Sequence, residues 1–97
     1  MAAKLSDSEI LAALGPLEGW SVVNGKLHRE YRFADFPHAF GFMAIAAPTI
    51  ERRNHHPEWA NVYNRVVVDL TTHDAGGITQ KDLDLAMLLE GIASKLR

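Results

Sequence analysis

Three of the five histidines in this 97-residue chain, His55, His56 and His73, lie between two acids, Glu51 and Asp82. Imidazole is the one side chain whose ordinary pKa lets it both give and take protons near neutrality. Two adjacent imidazoles, a third eighteen positions on and a carboxylate at either end are equipment for proton transfer. One fitting reaction expels hydroxide from a carbon that also carries nitrogen. An acid protonates the leaving oxygen while a base takes the proton from nitrogen, so that C=N forms. Trp59 or Tyr63 would supply an aromatic wall for a heterocyclic substrate. The same histidines and carboxylates also suit zinc or iron. The blandest alternative is a solvated polar turn that closes a helix.

The elements that must position these residues are legible in order. Ser6-Asp7-Ser8-Glu9 fits a capping box, with Leu5 and Ile10 placed as a hydrophobic staple. Ile10, Leu11 and Leu14 form the apolar stripe of a short helix that Gly15-Pro16 stops. Trp20 to Val23 leads through Asn24-Gly25, a hairpin signal, into a return strand from Lys26 to Phe33. Leu27, Tyr31 and Phe33 share one face of that strand. Arg29 is the misfit on it, calling for either a sheet edge or an acidic partner. Asp35 is placed to cap a second helix whose core stripe is Phe36, Phe40, Met43, Ala47 and Ile50, with Phe42 and Ile45 on another side. Pro48 predicts a kink or restart, and the helix should end near Asn54.

Pro57 pushes His56 toward extended geometry, which puts the two histidines at a helix-to-strand turn. From Asn61 to Thr72 the pattern alternates, as one strand or two, with Val62, Val66, Val68 and Leu70 facing one way. His73 follows, then the flexible Asp74-Ala75-Gly76-Gly77. Thr79 caps the last helix, with Asp82 three positions on and Leu85, Leu89, Ile92 and Leu96 as its buried stripe. The predicted fold is α+β: a two-layer sandwich in which helices cover one face of an antiparallel, about four-stranded sheet, in the order α-β-β-α-β-β-α.

Composition narrows the function classes. With 47% hydrophobic and 23% charged residues, residues 1–97 read as one globular domain. The absence of cysteine excludes disulfides, thiolate nucleophiles and cysteine-bound zinc. A formal charge of −2 gives no basic footprint for nucleic acid. The most apolar run, Phe40 to Ile50, is shorter than the ~20 residues that a membrane-spanning helix needs. No apolar signal core follows Met1, and a cytoplasmic location is the expectation.

The pattern Glu51-x3-His55-His56-Pro57-x5-Tyr63-x9-His73-x8-Asp82 resembles the signature of the pterin-4a-carbinolamine dehydratases. Thr71-Thr72-His73-Asp74 and Gly77-Ile78-Thr79 are similar to that family's downstream segment, and weaker likeness extends from Trp20 to the last helix. The resemblance implies a lyase that dehydrates 4a-hydroxytetrahydrobiopterin to the quinonoid dihydropterin, regenerating the cofactor of aromatic amino acid hydroxylases. It implies His55 and His73 as the acids that expel the hydroxyl, with His56 binding the pterin and assisting as base. Glu51 and Asp82 would orient them, with Pro57, Trp59 and Thr72 as further substrate-side residues. No bound cofactor or metal is implied, and the pterin is the substrate. A homodimer or tetramer is expected from the family and from the doubly apolar second helix. The runner-up is a small dimeric protein that binds and regulates a partner. Two positions depart from the family's pattern: Pro48 interrupts a helix that is usually unbroken, and Lys81 stands where arginine is frequent. Lysine lacks the bidentate fork of arginine, so no role is carried onto it.

Overall fold

In a computed structural model, which describes residues 3–97, four strands form one antiparallel sheet. They are β1 (Ser21–Val23), β2 (Lys26–Arg32), β3 (Glu58–Val62) and β4 (Arg65–Leu70), and their spatial order is β1-β2-β4-β3. The helices are α1 (Asp7–Ala13), α2 (Phe36–Arg53) and α3 (Gln80–Ser94). The expected order and class are those observed.

Local chemistry accounts for the boundaries. Ser6 and Glu9 form the capping box of α1, and Thr79 and Asp82 form that of α3. Asp35 accepts from the His38 backbone N–H at the start of α2, where Pro37 sits at a position that needs no donor. Asn24 and Gly25, at φ 52° and 75°, make the tight link between β1 and β2. Asn54 ends α2 in the left-handed conformation, and Arg52 and Arg53 complement the negative end of its dipole.

The core lies between one sheet face and the helices. Leu27, Tyr31 and Phe33 alternate inward along and just past β2, as do Val66, Val68 and Leu70 along β4. They meet Phe42, Ala46 and Ile50 of α2 and Leu85, Leu89 and Ala93 of α3, and Ile10 of α1 joins them. The other sheet face carries Lys26, His28, Glu30 and Arg32 against Arg65, Val67 and Asp69. Arg29 takes the acidic partner: its Nε lies 3.7 Å from Glu90 Oε1, and its guanidinium rests 4.4 Å from the Tyr31 ring centroid.

Four expectations are corrected. Leu11 is exposed, so the α1 stripe narrows to Ile10 with part-buried Leu14. On α2 the core stripe is Ala39, Phe42, Ala46 and Ile50, while Phe36, Phe40, Ile45 and Ala47 face outward. Alanines at 39 and 46 let the helix approach closely, and a pattern that weighs only large side chains misses that phase. Pro48 neither breaks nor restarts α2. It lies on the exposed side beside Ala44, whose carbonyl loses its helical donor where water can replace it. Finally, the run from 61 to 72 holds parts of two strands, as the expected order has it, but Val62 does not face inward with Val66. It is interrupted after Val62 by Tyr63 and Asn64, with Tyr63 at φ 51°, and Val62 is exposed. Asn64 ties this turn to the end of β2 through two bonds with Phe33, one from its side-chain amide and one accepted by its carbonyl. Among the described residues, no helix is long and apolar enough to cross a membrane.

Candidate active site

The three histidines are brought together at one end of the sandwich. The left-handed Asn54 turns the chain out of α2, so His55 and His56 follow immediately, and Pro57 leads into β3. His73 opens a short 3-10 turn, His73–Ala75, just after β4. That turn is closed by paired backbone bonds between Thr72 and Gly77, with Gly76 at φ 76°. The two segments border a cavity of about 420 Å³, lined by Asn54, His55, His56, Thr71, Thr72 and His73. Asp74 and Lys81 complete its rim. A smaller recess of about 150 Å³ lies on the Arg53 and Asp84 side of His55.

Beneath His55 is a buried polar network. Its Nε2 lies 2.6 Å from Oδ1 of Asp82, which has no exposed surface. The other carboxylate oxygen accepts from the Thr72 hydroxyl at 2.9 Å and from the Thr79 backbone N–H at 2.9 Å. Because Thr72 has one hydroxyl proton and gives it to Asp82, the 2.8 Å contact between Thr72 and Thr79 requires the Thr79 hydroxyl to donate. Asp82 stands in the first turn of α3, where the helix dipole favours negative charge. Three donors and that dipole compensate the burial of its carboxylate.

The other two imidazoles are more open. His56 Nε2 lies 3.0 Å from Glu51 Oε1, one turn back on α2, with both side chains well exposed. His73 Nε2 lies 3.4 Å from Glu58 Oε2, with 83% of the His73 side chain accessible. His55, at 14%, is the enclosed member. Each site imidazole therefore meets a carboxylate through Nε2, which leaves Nδ1 for another partner. Among the described residues, no three histidine or acidic side chains are grouped as a metal site.

Two expected residues stand away from the cavity wall. Trp59 is half-buried on the helix side of the sheet, edge-on to Phe42 with ring centroids 6.3 Å apart. Pro57 shapes the turn without lining the cavity. Tyr63, the other aromatic candidate, is at the far end of β3 from the histidines. Conversely, the sequence shows Thr79 as a helix cap and as part of the downstream family likeness, and Glu58 only as one more charged residue after Pro57. Neither carries a signal for its place beside Thr72 or His73.

The class is a two-layer α+β sandwich with a histidine–carboxylate cavity at one end. The family model described as pterin 4 alpha carbinolamine dehydratase matches residues 3–92. A relative from Solibacter usitatus, provisionally named a pterin-4-alpha-carbinolamine dehydratase, is 65% identical over 97% of this chain and 99% of its own. One from Rhodopseudomonas palustris with the same provisional name is 50% identical, covering 99% of this chain and 97% of its own. The crystal structure of a transcriptional coactivator/pterin dehydratase from Brucella melitensis superimposes with a TM-score of 0.88 at 47% identity. That match covers 93% of this chain and 98% of the other. The chain belongs to the pterin-4-alpha-carbinolamine dehydratase family.

Proposed function

We propose that this protein dehydrates 4a-hydroxytetrahydropterin to the quinonoid dihydropterin by histidine acid–base catalysis. The observation that carries the reading is the meeting of His55, His56 and His73 at one cavity, each with its own carboxylate. A planar bicyclic substrate in that cavity lies between imidazoles from two segments of the chain. His55 or His73 gives a proton to the 4a-hydroxyl oxygen, the C–O bond breaks and water leaves. The N5 lone pair forms C=N, and the proton on N5 passes to His56. The Asp82 carboxylate holds the His55 ring in place, and Glu51 does the same more loosely for His56. Thr72 serves the site through Asp82, and Pro57 by fixing the turn.

The same reading makes the protein a cytoplasmic partner of an aromatic amino acid hydroxylase, recycling its pterin with no bound cofactor of its own. Self-association into dimers or tetramers is supported by Phe36, Phe40 and Ile45, which stand exposed on α2. Those side chains also favour the second reading, a partner-binding regulator, as does the coactivator name of the Brucella melitensis protein. Stopped-flow decay of 4a-hydroxytetrahydropterin separates the two. The wild type should accelerate decay, and His55→Ala, His56→Ala and His73→Ala should each lower the rate by about 10²–10⁴-fold. A wild type that leaves the spontaneous rate unchanged would overturn the catalytic reading.

A further inference from the structure

Glu51 and Asp82 account for two of the three site histidines. The partner of the third lies outside the pattern that marks the site, at the first residue of β3. Glu58 is pinned at both ends. Its Oε1 accepts from Lys26 Nζ at 2.6 Å, and its Oε2 lies 3.4 Å from His73 Nε2. Lys26 starts β2, and β4 separates β2 from β3, so the lysine and glutamate side chains together span two strand spacings, about 10 Å, to make this contact. The lysine hydrogen bond holds the Glu58 carboxyl below its ordinary value, with its charge and that of His73 adding to the effect. Glu58 does not line the histidine cavity, and His73 does. Any influence it has on a bound molecule there passes through the imidazole.

We propose that Glu58, anchored by Lys26, is the positioning residue for His73, completing a set of three carboxylates that each hold one site imidazole through Nε2. The proposal rests on the dehydratase reading for its kinetic consequence alone. With Nε2 turned toward Glu58, Nδ1 is the His73 nitrogen left to exchange protons in the cavity. The turn at 73–75 fixes the backbone, and among the described residues Glu58 is the one polar contact of this exposed ring.

The test compares wild type, Glu58→Ala and Lys26→Met by ¹⁵N NMR of the imidazoles at alkaline pH, where each ring nitrogen reports the tautomer. His73 should be mainly the Nε2–H tautomer in the wild type and a mixture in Glu58→Ala. Lys26→Met should be intermediate, and the signals of His55 and His56 should not move. Stopped-flow dehydration should show kcat down about three- to fivefold in Glu58→Ala with KM within twofold, the range expected of an exposed charge pair. Glu58→Gln, which keeps an acceptor without charge, should recover the tautomer and only part of kcat. An unchanged His73 tautomer in Glu58→Ala overturns the proposal, as does an unchanged kcat. If the wild type does not catalyse dehydration, the functional reading fails, while the tautomer comparison still decides whether Glu58 positions His73.

Discussion

His55 and Asp82 are joined by a 2.6 Å bond between Nε2 and Oδ1, and the carboxylate has no exposed surface. The two residues come from opposite ends of the chain's functional half: one follows the last turn of α2, the other sits in the first turn of α3. The bond therefore does two jobs. It orients the enclosed imidazole at the cavity, and it ties α3 to the segment that leaves α2. The capping box of α3 and the proton chain from Thr79 through Thr72 converge on the same carboxylate.

Asp82→Asn should show both jobs failing. The substitution keeps the volume but replaces one acceptor oxygen with a donor, which must then face His55 N–H, Thr72 O–H or the Thr79 amide. Stranding a buried donor at such a site costs about 2–4 kcal/mol. Urea unfolding should register that loss, and dehydration should slow as much as in His55→Ala. His55→Ala itself removes only one of three donors and should cost about 1 kcal/mol. Equal stability losses for the two variants would mean that Asp82 is not the hub of the network.

A second carboxylate, Glu90, gives a pH signature of the fold rather than of the site. Burial pushes its carboxyl up, but bonds from Tyr31 Oη, Arg97 and Trp20 Nε1 outweigh burial and hold it below the ordinary 4.5. A depressed carboxyl contributes stability that is complete above its unfolded value and is lost as pH falls through its folded one. The thermal stability of the wild type should therefore fall as pH drops below about 4.5. Glu90→Gln should be less stable at neutral pH and show a shallower acid limb. An acid limb as steep as the wild type's would exclude Glu90 as a source of it.

Pro48 leads to a stabilising substitution. It lies inside an unbroken α2, on the exposed side, and removes the donor that the Ala44 carbonyl would otherwise have. Pro48→Ala restores that bond and the better helix former. The gain should be about 1–2 kcal/mol, below the full ~3 kcal/mol of an interior proline because the unfolded chain also becomes freer. Differential scanning calorimetry should place its Tm above that of the wild type. A lower Tm would mean that the ring of Pro48 makes a contact worth more than the bond it deletes.

Sequence legibility followed the range of the forces involved. Ser6, Asp35 and Thr79 were readable as caps because a cap acts within three residues. Asn24-Gly25 was readable because positive φ is nearly specific to such pairs. The Tyr63 turn was not, since a tyrosine at φ 51° is held by its surroundings and alternation runs straight through it. The buried face of α2 escapes a hydrophobic pattern because the small Ala39 and Ala46 carry little hydrophobic weight, yet they set how closely the helix packs. In the candidate site, residue type and spacing single out His55, His56, His73 and Asp82, and the family resemblance gives them roles. The Glu58 contact and the Thr79 link depend on which strands end beside one another, and no periodicity encodes that.

Gly19 and Arg29 show the same long-range dependence and give the last prediction. Arg29 stood out in the sequence as a charge on an apolar face, and Gly19 did not stand out at all. In the fold Gly19 has φ 88°, and a Cβ placed there would lie 2.6 Å from the Arg29 Cζ. The guanidinium is thus held between the glycine backbone and the Tyr31 ring. Gly19→Ala should destabilise by about 2–3 kcal/mol, part from backbone strain and part from the collision. Arg29→Ala removes the collision but not the strain, so the double variant should be less destabilised than the sum of the singles. Urea unfolding of the four proteins measures that coupling. Strict additivity would mean that Arg29 simply moves aside, and that its place between Gly19 and Tyr31 contributes nothing to the fold.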